Sequence, residues 1–278
     1  MKTIVWIASY PKSGNTWLRF LACNLIFGPV DSAETLHSLA PDLHEVRGVI
    51  EPPKHRLLLK THFLYSAALP LATNTAAAVY VLRDPADVML SNFHYAKRSG
   101  AAAGDKEAAL DRYVDAFIAA RGDPRWLKLG MGSWEDNVRS WLGTEHEFPV
   151  LRIRYEDVLA DGVKAAGALC RFLGLAREPQ DIEAAVARAS FERMREIEEA
   201  DIRAQRVGIF YKPYLREPIN SGLRFMRSGK TGEAARVLSQ SQQQRFDSVF
   251  GSMRRALGYA CSVTSHRPPS EKIVPSAI

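Results

Sequence analysis

Thr3–Ser9 (Thr-Ile-Val-Trp-Ile-Ala-Ser) is an apolar, β-branched run without polar alternation, which predicts a strand covered on both faces. Behind it Trp17, Leu18, Leu21, Ala22 and Leu25 recur at helical spacing until Gly28-Pro29 stops the helix. Arg56–Leu59 and Ala77–Leu82 predict two further buried strands. Asp84-Pro85 supplies an N-cap and a proline at the first helical position, opening a helix to about Arg98. The Gly/Ala-rich stretch Ser99–Gly104 interrupts the pattern. Helical spacing returns over Glu107–Ala120 and Ser133–Leu142, and Pro149–Ile153 predicts a fourth strand. Val163–Leu173, Asp181–Ala189 and about Ser241–Leu257 read as helices, whereas Ala200–Lys230 has no clean period. The tail over 265–278, with three prolines, is expected to be disordered.

Strands alternating with helices predict an α/β fold: a P-loop-like, doubly wound parallel sheet flanked by helices, in one domain over 1–264. In such sheets ligands bind beyond the carboxyl ends of the strands. Residues that directly follow strands are therefore the ones to read for chemistry.

Composition narrows the ligand. The 278 residues carry a net charge of +6, with Lys and Arg scattered rather than massed. An anionic small ligand fits that distribution, and a nucleic-acid arm does not. Cys23, Cys170 and Cys261 form neither a disulfide framework nor a metal-ligand spacing, and the acidic and His residues do not cluster as metal ligands, so no metal is expected. No apolar run approaches the ~20 residues of a membrane span, and the N-terminus lacks a signal-peptide core, so a cytoplasmic protein without stable membrane insertion is expected.

The turn Ser9-Tyr10-Pro11-Lys12-Ser13-Gly14-Asn15-Thr16-Trp17 joins the first strand to the first helix. A strand–turn–helix junction aims unpaired backbone N–H groups and the positive helix end at one point, where an anion is stabilised. Gly14 lets the backbone come close, Lys12 adds a charge, and Ser13 and Thr16 add hydroxyls. Taken alone, the turn also reads as an ordinary polar helix start. The triphosphate loop G-x-x-x-x-G-K-[ST] is absent, because here the lysine precedes the glycine.

Tyr10–Trp17 resembles the 5′-phosphosulfate loop Y-P-K-S-G-[TN]-T-W of the sulfotransferases that use 3′-phosphoadenosine-5′-phosphosulfate (PAPS). Three further elements resemble that family. Val81–Ser91, with Arg83 and Ser91 eight residues apart, is similar to its 3′-phosphate element; Lys60-Thr61-His62 is similar to its K-T-H element; Tyr155-Glu156-Asp157 and Ser190-Phe191 are similar to its base-contacting elements. Arg227-Ser228-Gly229-Lys230-Thr231-Gly232-Glu233 resembles the clasp R-K-G-x-x-G-D-W, with Ser228 in place of the lysine and Ala234 in place of the tryptophan. Ala189 stands where many cytosolic members have a base-binding threonine. Gly132–Trp141 and Ser190–Glu196 are similar to the bacterial branch that sulfates glycopeptide antibiotics.

The resemblance implies sulfuryl transfer from PAPS, leaving adenosine 3′,5′-bisphosphate (PAP), to a hydroxyl of a small-molecule, glycan, lipid or natural-product acceptor. It implies His62 as base, with Lys12 and Lys60 stabilising charge. It implies that Lys12, Ser13, Gly14, Asn15, Thr16, Trp17, Arg83, Ser91, Tyr155, Phe191, Arg227, Ser228 and Gly229 hold the nucleotide. Phe63, Tyr65, Phe93 and Tyr95 are expected to wall the acceptor site, under lids drawn from 97–132 and 200–225. A P-loop-type phosphotransferase and a non-catalytic nucleotide-binding protein are the competing readings, and self-association is left open.

Overall fold

The computed structural model describes residues 2–259 apart from 47, 49, 50, 100–105 and 144. The expected tail over 265–278 and most of the Gly/Ala-rich break lie outside the described residues. The chain runs β1 (Ile4–Ser9), α1 (Asn15–Phe27), α2 (Ala33–Leu39), β2 (Leu57–Thr61), β3 (Thr75–Leu82), α3 (Pro85–Arg98), α4 (Lys106–Ala119), α5 (Pro124–Lys128) and α6 (Trp134–Leu142). It continues through β4 (Val150–Arg154), α7 (Tyr155–Ala160), α8 (Gly162–Leu173), α9 (Pro179–Arg188), α10 (Phe191–Arg203), α11 (Arg216–Asn220), α12 (Ala234–Val237) and α13 (Gln240–Ala256).

The sheet order is β2-β1-β3-β4 and every pairing is parallel. Alternation along β1 divides the core in two. Ile4, Trp6 and Ala8 pack with Phe117, Trp134, Trp141, Phe246 and Phe250 of α4, α6 and α13. Val5 and Ile7 pack with Leu18, Leu21, Leu169, Met194 and Ile197 of α1, α8 and α10. Helices thus cover both faces, which is why β1 carries no polar alternation. The one polar atom of the Trp6 side chain is satisfied by Nε1–H donating to Thr75 Oγ1 at 2.8 Å.

All four expected strands form, but β2 extends through Lys60 and Thr61. Thr61 is fully buried, and the Lys60 charge is matched by Asp42, so two polar residues continue a buried strand. Helices α2, α7 and α10 were not expected from periodicity.

Candidate active site

The turn after β1 is shaped by two residues in the left-handed region, Lys12 (φ 71) and Gly14 (φ 108). The Tyr155 ring lies against Gly14, where a Cβ would meet its Cδ2 at 2.6 Å, so glycine is required there on both counts. The first intrahelical bond of α1 runs from Leu18 N–H to Gly14 O, and the N–H groups of Asn15, Thr16 and Trp17 have no partner inside the helix. One turn residue differs from its expected role. Ser13 donates its N–H to Tyr10 O (3.3 Å), and its hydroxyl is buried away from the cavity. The Asn15 side chain turns inward, its Nδ2 donating to Ile7 O (3.1 Å) and Ser9 Oγ (3.3 Å), which leaves its backbone N–H for a ligand.

Lys12 Nζ sits 3.9 Å from the Phe225 ring centroid and 4.7 Å from that of Tyr95, a cation–π seat. Phe225 is held from behind by the fully buried Glu198, whose carboxylate accepts the N–H groups of Phe225 (2.6 Å) and Met226 (2.8 Å). Burial, then the charges of Arg98, Arg83 and Arg227, outweigh the pull of Glu198 and bring the Lys12 ammonium down to about 7.

His62 follows β2 directly and faces β1. Its Nδ1 lies 2.8 Å from Ser9 O. A carbonyl oxygen only accepts, so Nδ1 carries the proton and Nε2 holds the lone pair. Burial first, then the charges of Lys60 and His44, push His62 well below the ordinary imidazole range, so it is neutral near pH 7. His44 cannot rival it as a base, because its own Nε2 accepts the His62 backbone N–H at 2.9 Å.

Lys60, two residues before His62, is buried and paired with Asp42 at 2.7 Å. Burial alone would raise the Asp42 carboxyl, but the Lys60 charge and hydrogen bond hold it at about 2. Lys60→Met is expected to lower stability by about 3–5 kcal/mol, since it strands a buried carboxylate. Adding Asp42→Asn should restore most of the loss. Urea denaturation of the single and double variants measures the coupling, and simple additivity would show that the pair has none.

The other candidate nucleotide residues gather on the same side. Arg83 leaves β3, stacks on the Tyr155 ring at 4.6 Å, donates to Lys230 O (2.8 Å), and keeps Nε without a partner among the described residues. Gly229 (φ 64) lies flat on Phe191, where a Cβ would meet Cδ2 at 2.5 Å. Arg227 and Ser228 both reach Glu233 Oε2, at 2.5 and 2.6 Å. The clasp is tied to α3 by Asp87, which accepts the N–H groups of Gly232 (2.6 Å) and Ala234 (3.0 Å). Lys12, Gly14, Asn15, Thr16, Trp17, Lys60, His62, Arg83, Ser91, Tyr155, Phe191 and Arg227–Gly229 all line one cavity of about 670 Å³ beyond the strand ends.

The sulfotransferase domain family matches residues 2–258. The chain belongs to that family. Sulfotransferase 2A6 of Rattus norvegicus is 27% identical over 251 residues, spanning 88% of this chain and 82% of that protein. The amine sulfotransferase of Oryctolagus cuniculus is 26% identical over 255 residues, 88% of this chain and 79% of its own. Mouse sulfotransferase SULT7A1, solved in complex with PAP, has a TM-score of 0.66 at 21% identity, covering 92% of this chain and 84% of the other. Retinol dehydratase, solved with androsterone and PAP, has a TM-score of 0.65 at 18% identity, covering 95% and 83%. At these identities the structural likeness is one of fold.

The far half of the sulfotransferase cavity departs from the expected acceptor walls. Phe63 and Tyr95 line it, while the half-buried Tyr65 packs against the core on Trp141 and Phe148, and the buried Phe93 packs on Tyr113. Among the aromatic residues of the 97–132 and 200–225 segments, Trp126, Tyr214 and Phe225 reach the cavity, whereas Phe210 and Tyr211 are buried away from it. Leu43, Leu129, Met131, Ile209 and Leu215 complete an apolar wall. Sequence reasoning missed the charged residues Arg19, Asp42, Glu45, Arg98 and Lys212, which line the cavity, and Glu198, which holds the Phe225 backbone. Arg19 and Arg98 are both buried and line the cavity, each with Nε unpartnered among the described residues. Among those residues no helix is long and apolar enough to cross a membrane, and no group of three or more His, Cys, Asp or Glu could hold a metal ion.

Proposed function

We propose that this sulfotransferase moves a sulfuryl group from PAPS to a hydroxyl of a small-molecule or natural-product acceptor, with His62 as base and Lys12 as the charge at the leaving oxygen. The observation that carries this reading is that one cavity joins the N–H groups at the α1 start and the Lys12 ammonium to the unprotonated Nε2 of His62. The residues fit the donor's two anionic ends. The α1 start and Lys12 suit the 5′-phosphosulfate. Arg83 and Arg227 offer planar forks to the 3′-phosphate, and Ser91 lines the same cavity. Tyr155 and Phe191, each against a glycine, offer flat surfaces to the nucleotide.

In this reading His62 accepts the acceptor's hydroxyl proton at Nε2 while the Ser9 carbonyl fixes its tautomer. Lys12 neutralises charge on the departing phosphate oxygen, and the α1 N–H groups hold that phosphate throughout. Arg227 and Ser228 exchange Glu233 for the 3′-phosphate.

Calorimetry with PAP, and separately with ADP plus Mg²⁺, tests the donor class. Tight binding of PAP with none of ADP is expected. The reverse order would replace sulfuryl with phosphoryl transfer.

A further inference from the structure

Two histidines line the cavity where an acceptor would meet the donor, and their protons are fixed by opposite arrangements. His62 keeps its lone pair on Nε2, as argued above. His44 is the complement. Its Nε2 accepts the His62 amide at 2.9 Å, and an amide can only donate, so the His44 proton is on Nδ1. Burial, with the nearby Lys60 charge, brings His44 down to about 4, so the ring is neutral and stays in that tautomer near pH 7. Nδ1 has no partner among the described residues.

The ring is also held in place. Its own backbone N–H donates to Asp42 Oδ1 at 3.0 Å, and the 41–43 segment bonds to both sides of Lys60 on β2. Phe63 packs on it with ring centroids 4.1 Å apart. The His44 and His62 centroids are 5.7 Å apart, with planes tilted by 32°. Both rings line the cavity, which therefore carries a fixed donor and a fixed acceptor between the apolar Leu43, Phe63 and Met131 and the charged Asp42, Glu45 and Lys60.

We propose that His44 Nδ1–H is a specificity-determining donor that selects acceptors carrying a second hydrogen-bond-accepting oxygen close to the hydroxyl that is sulfated. The class is a polyoxygenated ring (a catechol, a resorcinol or a sugar diol) in preference to a hydrocarbon with a single hydroxyl. A mono-hydroxyl acceptor would desolvate His44 Nδ1–H without replacing its hydrogen bond, and sites built around a polar partner discriminate strongly against analogues that lack it. The inference rests on the sulfuryl-transfer reading for which hydroxyl reacts.

The test compares 2-naphthol with 2,3- and 1,3-dihydroxynaphthalene. Binding to the protein–PAP complex is followed by calorimetry, and turnover by PAP release from PAPS. The wild type should favour at least one diol by roughly tenfold or more in Kd. Three variants separate donor from scaffold. His44→Gln can accept the His62 amide with its oxygen and donate with its nitrogen, so it should keep the preference. His44→Glu can accept the amide but cannot donate, and His44→Leu does neither, so both should lose it. Equal binding of all three compounds by the wild type, a preference that survives in His44→Glu, or no binding of any of them overturns the proposal. A preserved binding preference without PAP release would instead overturn the sulfuryl-transfer reading and leave the donor role of His44 standing.

Discussion

His62→Ala is expected to cut kcat by roughly 10²–10⁴, the range for loss of a positioned general base, with PAP affinity as in the wild type. The expectation follows from the proton's location. With Nδ1–H on the Ser9 carbonyl, Nε2 is the nitrogen free to take a proton. His44, the only other histidine lining the cavity among the described residues, has its basic nitrogen occupied by the His62 amide. The pH profile sharpens the assignment. A base must be unprotonated to act, so activity is lost as pH falls through its pKa. His62 lies well below 6.5, first because of burial and then because of the Lys60 and His44 charges. The acid limb of kcat/KM, which reports the free enzyme, should therefore fall below pH 6.5 and vanish in the alanine variant. A limb that persists in His62→Ala, or a kcat within threefold of wild type, would transfer the role to another group.

The sheet was legible because its strands are apolar on both faces, and the turn because its residues are local. Lys12, Gly14 and the α1 start lie within a few residues of one another, and strand–turn–helix geometry says where they point. Helix α10 shows where this reasoning stops. Its buried face is Met194, Ile197, Glu198 and Asp201, a proper helical spacing with acids at two of four positions. Those acids accept backbone N–H groups from distant segments, Glu198 from Phe225 and Met226 and Asp201 from Ala33. A buried carboxylate satisfied by remote amides has the sequence signature of a solvated surface residue.

The same limit explains the other misses. Lys60 carries the motif position expected for charge stabilisation, but its partner Asp42 comes from a segment 18 residues earlier that bridges to β2. Arg98 reads as a cationic helix terminus, favourable by position alone. In the fold its guanidinium is instead buried, donating to Phe210 O at 2.5 Å and lowering the Lys12 pKa. Tyr65 and Phe93 looked equivalent to Phe63 and Tyr95 in sequence. Which side of each element faces the cavity depends on how α6 and α4 pack over it, and no local spacing encodes that.

Lys12→Met should lower kcat by roughly 10²–10³, the cost of removing one preorganised donor from developing negative charge, with a smaller change in donor affinity. Methionine keeps an unbranched stem between Phe225 and Tyr95 while deleting the ammonium, so packing of the seat is largely preserved. Again the pH dependence separates chemistry from binding. Lys12 has to be protonated to offset charge on the leaving oxygen, and burial with the Arg98, Arg83 and Arg227 charges leaves it near 7 in the free protein. Activity that needs the protonated form is lost as pH rises through that value. Wild-type kcat/KM should thus decline above about pH 7, approaching tenfold per unit, while kcat should hold to higher pH because the donor's anionic groups raise the Lys12 pKa in the complex. In Lys12→Met the alkaline limb of kcat/KM should be gone. A methionine variant that keeps the limb would show that another group titrates there. One that changes only donor Kd would reduce Lys12 to a phosphate contact. The aromatic seat then explains the resting state: with three arginine charges nearby, the ammonium rests on the Phe225 and Tyr95 ring faces, from which donor phosphates can draw it.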